Sequence, residues 1–316
     1  MRLRLRGAIA EWRGDLRTLL AVRAAERRVL QPHDSTDGEP RQSVEFERAR
    51  EQWLAGRRPE GLRQITIAGL TISVPPDEGS PKSLSARVLR GWLPLEDIAR
   101  ARRFVRDGVM LDIGANIGTT CIPRVVLSHF SRAYAAEPDA VNYAVLVGNV
   151  VDNGLVARIH PDRLAISDSN GTARLRITGR IGSHRLVPAD RVVREPVEEV
   201  PCVTVDTWLD RRGVPDEDVT FVKVDTQGWD LRVLRGAERL LSRRQAVWQV
   251  EVSPSHMKSA GCTVEDLTAF VGTHFTRVAD LGDATRPVDA RDLANLLARA
   301  LAHRRFANIL LLNAGG

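Results

Sequence analysis

The chain has 316 residues, of which 43% are hydrophobic, so it can hold about two average domains or one large α/β domain with an extension. Its net charge is +6, but only three of its 46 Lys and Arg residues are lysine, and the arginines are scattered among 40 acidic residues. This scatter argues against a phosphate-binding stripe and therefore against nucleic-acid binding. The three cysteines are odd in number and lack C-x-x-C spacing, which argues against disulfides and zinc and indicates a reducing, cytoplasmic location.

The first thirty residues are basic and take up helical spacing of apolar residues between Leu5 and Leu19. Their longest apolar run, Leu19 to Val22, is too short for a signal peptide or a membrane span. We expect an amphipathic helix that packs on the larger C-terminal domain or on a partner subunit, the latter giving a homo-oligomer. Peripheral contact with an anionic membrane is the alternative.

Residues 31–41 are rich in turn formers and predict a linker. A helix over 43–54 follows, and then a two-residue hairpin that joins 64–67 to 70–74 through Ala68-Gly69. Helical spacing resumes over 84–105 and is broken at Pro94. We assign residues 1–83 to a mainly helical accessory region with a hairpin, and residues 84–316 to a single larger domain.

From Val109 onward, strands and helices alternate, which predicts an α/β fold with a mostly parallel sheet covered by helices on both faces. Extra strand material is expected over 171–177 and 200–205, before the fourth core strand. The predicted strands are 109–113, 132–136, 158–166, 219–225, 246–252, 273–279 and 306–312. The clearest predicted helices between them are 139–152, 229–242, 263–271 and 290–302.

A buried strand, Val109 to Ile113, runs into a glycine turn of the form Asp-x-Gly-x-x-x-Gly, with Asp112, Gly114 and Gly118. The glycines allow a tight turn and the close approach of a ligand. A helix from about residue 116 to 129 should then direct its N-terminal amides at that ligand. A dinucleotide fingerprint would need glycine at position 116, where this chain has Asn116.

The next strand ends in Glu137, nineteen residues beyond Gly118. A carboxylate there can accept both ribose hydroxyls of an adenosine, as in sites for NAD and for S-adenosylmethionine. The acidic Asp112 suits a ligand with an ammonium group and would repel a pyrophosphate. The residues therefore favour S-adenosylmethionine, with an NAD oxidoreductase as the weaker alternative.

Five segments in this order resemble the FkbM family of S-adenosylmethionine-dependent methyltransferases, and the likeness covers about residues 90–313. They are Leu111–Gly118, Ala136–Asp139, Asn149–Gly154, Ala165–Asp168 and Phe221–Asp230. The resemblance implies a Rossmann-like seven-stranded sheet whose last strand is antiparallel. It also implies methyl transfer to a hydroxyl of a sugar, glycan or secondary metabolite. The implied cofactor-binding residues are Asp112, Gly114, Asn116, Gly118, Glu137, Ala165 and Asp225.

A second chemical centre is expected at the end of the fourth strand, where Lys223 and Asp225 share one face of the sheet. The family signature here is Lys-x-Asp-x-Glu/Gln-Gly, and this chain carries Gln227, so that no second carboxylate stands at that position. Glu251, at the end of the fifth strand, could join Asp225 in holding a divalent cation. Two carboxylates alone are weak evidence, and we expect no metal.

Methyl transfer to a hydroxyl requires alignment and a general base. We assign Asp225 and His184 as catalytic candidates, with His256 as a further histidine near the expected site. Lys223 is expected to form an ion pair with Asp225, and Trp229 to pack against the helix after the fourth strand. Two alternatives remain open, namely an RNA methyltransferase and a catalytically silent cofactor-binding module.

Overall fold

The computed structural model describes residues 42–76, 81, 83–127, 130–283 and 286–313. The basic helix and the linker predicted over the first 41 residues lie outside these ranges.

The described chain begins with helix α1, Val44–Leu54, whose first turn is capped by the Ser43 hydroxyl, 3.1 Å from the Phe46 amide. Strands β1, Arg63–Ile67, and β2, Leu70–Val74, form the predicted antiparallel hairpin. Its two turn residues, Ala68 and Gly69, have φ angles of 52° and 80°. Positive φ at both central residues matches the right-handed twist of the flanking strands. The hairpin prediction is confirmed.

Two short helices follow the hairpin, α2, Leu84–Val88, and α3, Leu95–Ala101, separated at Pro94 as predicted. A 3₁₀ turn, Arg102–Phe104, completes this segment.

An eight-stranded sheet forms the centre of the fold. From one edge to the other its strands are β13 Val288–Asp289, β12 Arg277–Asp280, β14 Ala307–Leu312, β11 Val247–Val252, β10 Val219–Val224, β3 Gly108–Ile113, β4 Phe130–Ala136 and β5 Ile159–Asp162. Strand β14 is antiparallel to both its neighbours, and β3, β4, β5, β10 and β11 are mutually parallel. The predicted α/β class and the antiparallel last strand are confirmed, and the short β13 adds an eighth strand at one edge.

Alternate residues of the central strands enter two hydrophobic cores, one on each face of the sheet. Leu111 and Val222 belong to one core, whereas Met110 and Phe221 belong to the other. Both faces are covered, so the central strands are apolar along most of their length and not merely at every second residue.

A second, four-stranded sheet lies beside the first, in the order β6-β9-β7-β8. It consists of β6 Ala165–Ile166, β7 Gly171–Arg176, β8 Arg185–Val187 and β9 Val197–Val203. The single strand predicted over 158–166 is therefore wrong. The chain leaves the large sheet after Asp162, and Ala165 and Ile166 pair with β9 instead of β4.

The helices depart from prediction mainly at their ends. The helix predicted over 229–242 is interrupted at Gly236 and Ala237. Gly236 packs closely on the neighbouring backbone, since a Cβ there would lie 2.0 Å from the Ser167 carbonyl oxygen. The helix predicted over 263–271 runs from Val264 to His274, so the strand predicted from 273 begins only at Arg277. The helices over Val205–Arg212 and Pro254–Ser259 were not predicted. The helices from the first core strand onward are α4 Cys121–Leu127, α5 Ala140–Asp152, α6 Val205–Arg212, α7 Asp230–Arg235, α8 Glu238–Ser242, α9 Pro254–Ser259, α10 Val264–His274 and α11 Leu293–Leu301.

Helix α5 carries the N-terminal elements on its outer side. The Trp53 ring of α1 lies over Gly148, where a Cβ would come within 2.2 Å of the indole. Asn149 of α5 and Asn153, the C-cap residue of α5, pair with the backbone of β2 at Ser73 and Thr71. These amides satisfy an edge strand that would otherwise expose its backbone groups. Among the described helices, none is long and apolar enough to cross a membrane.

Candidate functional site

A polar row crosses the three central strands near their carboxyl ends. Lys223 of β10 is the register partner of Asp112 on β3 and of Gln249 on β11. All three side chains are buried. Side chains alternate between the two faces along each strand, and register partners on neighbouring strands point to the same face. These three polar side chains therefore lie together on one face, among otherwise apolar neighbours. A buried polar row of this kind marks a site for chemistry on that face.

Asp112 is 1% exposed, and burial raises its pKa to about 6, against the opposing influence of Lys223. Its Oδ2 accepts a hydrogen bond from the Cys121 amide at 3.0 Å. Asp112 therefore caps helix α4, which begins at Cys121 and not near residue 116 as predicted. One of the amides expected to face a ligand is thus already bound to Asp112.

The glycine turn between β3 and α4 is an extended loop with a left-handed residue. Asn116 has a φ of 53°, which excludes it from the helix. A Cβ at Gly114 would lie 2.0 Å from the Asp225 carbonyl oxygen, and one at Gly118 would lie 2.7 Å from Ile122 Cδ1. At both positions, protein atoms fill the space that a side chain would take. Gly114 lines the cavity described below, whereas Gly118 is not among its lining residues.

Glu137 directly follows strand β4 and is 5% exposed. Its two carboxylate oxygens accept hydrogen bonds from the Asn116 amide at 2.8 Å and the Asp139 amide at 3.0 Å. Burial outweighs these bonds and raises the pKa of Glu137 to about 8. An ionised carboxylate has about four acceptor sites, so these two amides leave acceptor capacity for ligand hydroxyls.

A network of four polar side chains stands at the ends of β10 and β11. Lys223 Nζ lies 2.9 Å from Asp225 Oδ2, as the predicted ion pair requires. Gln227 Nε2 donates to Asp225 Oδ1 at 3.0 Å and to Glu251 Oε1 at 3.3 Å. Burial and the Asp225 charge raise the pKa of Glu251 well above its ordinary range. The amide at 227 thus bridges two acids that a third carboxylate would repel.

Burial alone would lower the pKa of Lys223, but the carboxylates of Asp225, Glu251 and Asp112 raise it above its usual value. Lys223 therefore remains charged and does not act as a base. The backbone after it turns sharply, with φ angles of 56° at Gln227 and 104° at Gly228. Asp230 holds this turn by accepting hydrogen bonds from the amides of Thr226 and Gly228, both at 3.0 Å.

Sequence reasoning missed a buried arginine. Arg124 of α4 is 1% exposed, donates to Gln249 and lies 4.3 Å from the Phe221 ring centroid. Burial lowers its pKa to about 10, so it remains charged at neutral pH. Its presence in the otherwise apolar run Cys121–Leu127 was a detectable signal. Asp97 accepts a hydrogen bond from Asn308 at 3.0 Å, although the two residues are 211 positions apart in the sequence. No pattern in the sequence indicated that Asp97 belongs to the site.

The two candidate histidines differ in their hydrogen bonds. His184 Nδ1 accepts from the Thr178 amide at 3.0 Å, so in the neutral ring the proton resides on Nε2 and the ring acts as a donor. Across the described part of the chain, His256 Nδ1 is buried without a hydrogen-bond partner. Burial, followed by the charge of Arg185, lowers the pKa of His256, which keeps that ring neutral at pH 7.

One cavity of about 770 Å³ joins these groups, a volume suited to a small-molecule ligand. Residues of helices α2 and α3 also line it. Trp229 is buried away from it, with Nε1 donating to Ser167 at 2.7 Å, as expected for a packing residue. The predicted site residues in the cavity wall are Asp112, Gly114, Asn116, Glu137, Ala165, His184 and Asp225.

The cavity wall suits the three kinds of group that S-adenosylmethionine presents. Asp112 and Glu137 offer carboxylates for an ammonium group and for ribose hydroxyls. Arg124 Nε and Asn142 Oδ1 are buried atoms of wall residues, and neither has a hydrogen-bond partner within the described ranges. A carboxylate and a further donor from a ligand would satisfy them. Within those ranges, no group of three or more His, Cys, Asp or Glu residues is placed to hold a metal ion.

The strand order and the site at the carboxyl ends of β3, β4 and β10 are those of a Rossmann-like α/β fold, which binds its ligand at that edge of the sheet. Residues 112–283 match the Methyltransferase FkbM domain. The chain therefore belongs to the FkbM family of S-adenosylmethionine-dependent methyltransferases.

Several solved structures are similar in fold. Methyltransferase FkbM from Methylobacillus flagellatus is 18% identical with a TM-score of 0.36, and the match covers 65% of this chain and 43% of that one. TrmK from M. capricolum, in complex with S-adenosyl-homocysteine, is 10% identical over 71% of this chain and 69% of its own, at a TM-score of 0.39. The precorrin-6y C5,15-methyltransferase from Geobacter metallireducens is 14% identical with a TM-score of 0.38, and the match covers 75% of this chain and 94% of that one. No curated protein matches the chain.

Proposed function

We propose that this protein transfers a methyl group from S-adenosylmethionine to a hydroxyl of a sugar, glycan or secondary metabolite. The observation that carries the proposal is the shared cavity, which has Asp112 and Glu137 in one part of its wall and the neutral His256 ring in another. A bound S-adenosylmethionine supplies an electrophilic methyl group. The task left to the chain is to align a nucleophile and remove its proton.

Three charged side chains of the cavity wall would each bind a different group of the cofactor. Glu137 would accept the ribose hydroxyls with the lone pairs that the Asn116 and Asp139 amides leave free. Asp112 would face the ammonium group. Arg124, whose Nε has no partner among the residues that the structure describes, would face the carboxylate. Ala165 and Gly114 line the same cavity without a side chain that would obstruct a ligand.

We assign the general base to His256 and not to His184. A base must present a lone pair to the hydroxyl proton, and the lone pair of His184 Nδ1 is already bound to the Thr178 amide. His256 meets this requirement because its ring lines the cavity and is neutral, so that one ring nitrogen carries a lone pair, and no backbone amide among the described residues occupies its buried Nδ1. Asp225 is held by Lys223 and Gln227 and acts in positioning, through the network that also includes Glu251.

The proposal is tested by calorimetric titration of S-adenosylmethionine, S-adenosyl-homocysteine and NAD into wild type and Glu137→Ala. We expect both sulfur ligands to bind wild type, the variant to lose them, and NAD not to bind. A tritiated-methyl screen with hydroxylated acceptors should then yield a product that resists mild alkali, as an ether does and an ester does not. Label on nitrogen or on RNA would overturn O-methylation, and binding without transfer to any acceptor would indicate a silent module.

A further inference from the structure

A second cavity, of about 490 Å³, adjoins the first beside the four-stranded sheet. We call it the arginine groove, because Arg176, Arg180 and Arg185 line it. Its acidic wall residue is Glu195. The residues that line both cavities are Arg180, Ser183, Arg185, Gln227 and His256. The groove is thus continuous with the site proposed for the acceptor.

Two of these arginines face each other across a strand pair. Arg176 of β7 is the register partner of Arg185 on β8. Directly opposed side chains in an antiparallel pair lie about 5 Å apart at Cβ, and like charges there are destabilising. The positive charge of Arg176 is partly compensated, since its guanidinium lies 3.3 Å from the Glu195 carboxylate. Its Nε, however, is buried with no partner among the described residues.

Neighbouring arginines show what a purely structural role looks like in this sheet. Arg174 donates to the carbonyl oxygens of Pro188, Ala189 and Arg191, at 2.7 to 3.2 Å. Arg191 donates to the Ser259 carbonyl. Within the described ranges, the guanidinium groups of Arg180 and Arg185 form no hydrogen bond or ion pair of this kind.

The charge on Arg185 is unfavourable as the groove stands. Burial, followed by the charges of Arg176 and Arg191, lowers the pKa of Arg185, and Glu195 opposes this only in part. A partly buried, uncompensated guanidinium gains most from an anion that accepts two of its N–H groups at once. Phosphate and carboxylate groups have that geometry.

We propose that the arginine groove binds an anionic group, phosphate or carboxylate, carried by the methyl acceptor. The inference rests on the proposed function, because it names the acceptor class of that same site. An acceptor anchored by its anion at Arg185 has His256 beside it, since His256 lines both cavities. A sugar phosphate, nucleotide sugar or sugar acid combines such an anion with free hydroxyls.

Anion binding can be measured before the acceptor is known. Inorganic phosphate, pyrophosphate, glucose 1-phosphate, glucuronate and glucose are titrated calorimetrically into the protein, with and without saturating S-adenosyl-homocysteine. We expect at least one anion to bind wild type and glucose to bind far more weakly. Preference for pyrophosphate and glucose 1-phosphate would identify a phosphate, and preference for glucuronate a carboxylate.

The decisive variants are Arg185→Gln and its matched control Arg211→Gln, an exposed arginine of α6 outside both cavities. We expect Arg185→Gln to weaken anion binding on the order of tenfold or more, as the loss of charge-assisted hydrogen bonds requires. Arg211→Gln should match wild type. Arg185→Lys should fall between, because it retains the charge but not the planar fork.

Retained S-adenosyl-homocysteine binding shows that Arg185→Gln is folded, and the exposed Arg180→Gln gives a second test with an expected several-fold loss. Equal affinity in Arg185→Gln and Arg211→Gln, or no anion binding by wild type, would overturn the inference. Tighter binding of a short single-stranded RNA than of pyrophosphate would also overturn it, in favour of an RNA acceptor. Failure of the sulfur ligand alone would instead count against the proposed function.

Discussion

At the scale of single residues, burial sets the protonation state of the site. Glu137 has the largest consequence, because its pKa is raised to about 8 in the unliganded protein. Between its ordinary pKa of 4.5 and about 8, the folded chain holds a proton that the unfolded chain has lost. This group therefore makes the unliganded fold less stable as pH rises through that window.

Ligand hydroxyls that donate to Glu137 favour its ionised form and lower its pKa. We therefore expect S-adenosylmethionine affinity to rise with pH up to about 8 and then to level off, by at most about tenfold per pH unit for one proton. Calorimetry in buffers of different ionisation enthalpy should show proton release on binding at pH 7. Glu137→Gln should bind weakly and without this pH dependence, whereas a pH-dependent Glu137→Gln would place the titrating group elsewhere.

The assignment of His256 as general base is also decided by single residues. With an acceptor from the tritiated-methyl screen, His256→Gln should lose about 10²- to 10⁴-fold in kcat while cofactor affinity is retained. Because the pKa of His256 is lowered, the wild-type rate should be flat near neutral pH and fall only in acid, below the ordinary 6.5.

His184→Gln serves as the matched control, since both rings line the same cavity. It should keep the acid limb of the pH profile and lose less activity. If the limb disappears in His184→Gln and persists in His256→Gln, the two assignments must be exchanged.

At the scale of elements, the site depends on how closely two loops approach each other. Gly114 has a φ of 80°, and a Cβ there would overlap the Asp225 carbonyl oxygen at 2.0 Å. The turn after β3 and the turn after β10 are therefore in backbone contact, which sets the distance between the cofactor side and the Asp225 network.

Gly114→Ala should cost about 2–5 kcal/mol of unfolding free energy, from left-handed strain and overpacking together, and should abolish cofactor binding. Gly213→Ala separates these two effects. Its φ is 62°, but nothing lies within 4 Å of the added Cβ, so we expect a loss of only about 1 kcal/mol with binding intact. Denaturant unfolding and calorimetry measure both quantities, and equal effects of the two substitutions would refute the close-approach argument.

At the scale of the whole molecule, Asn149 connects the N-terminal hairpin to the cofactor turn. It is fully buried, accepts from the Ser73 amide at 2.7 Å, and donates to the carbonyl oxygens of Ser73 at 3.1 Å and Ile117 at 2.8 Å. Asn153 makes the same kind of pair with Thr71, at 2.9 and 2.7 Å, without touching the turn. The accessory hairpin is therefore part of the scaffold that holds the glycine turn.

Asn149→Leu and Asn153→Leu should each weaken attachment of the hairpin, and the buried Asn149 should cost more, about 3 kcal/mol, because its partners remain without hydrogen bonds. Only Asn149→Leu should also reduce S-adenosylmethionine affinity, since only it loses the bond to Ile117. Comparable affinities in the two variants would show that the hairpin stabilises the fold without positioning the turn.

The amino-acid sequence by itself determined the α/β class, the antiparallel last strand, the hairpin at Ala68-Gly69 and the Lys223–Asp225 ion pair. The antiparallel last strand is what the resemblance to the FkbM family implied, and the other three follow from local rules, namely periodicity, turn chemistry and alternation along one strand. The same rules placed Glu137 and Asp112 at strand ends that meet at one edge of the sheet. The division at residue 83 stays a prediction, as do the roles of the individual site residues.

Only the tertiary structure decided which polar groups are already bound and which are left for a ligand. Asp112 was expected to face the ligand alone, but it also caps α4, which delays the helix to Cys121. His184 and His256 are alike in sequence, yet a single backbone amide at Thr178 distinguishes them. Arg176 and Arg185 become neighbours only through strand pairing. Such contacts join residues that are distant in sequence or depend on loop geometry, so no local pattern encodes them.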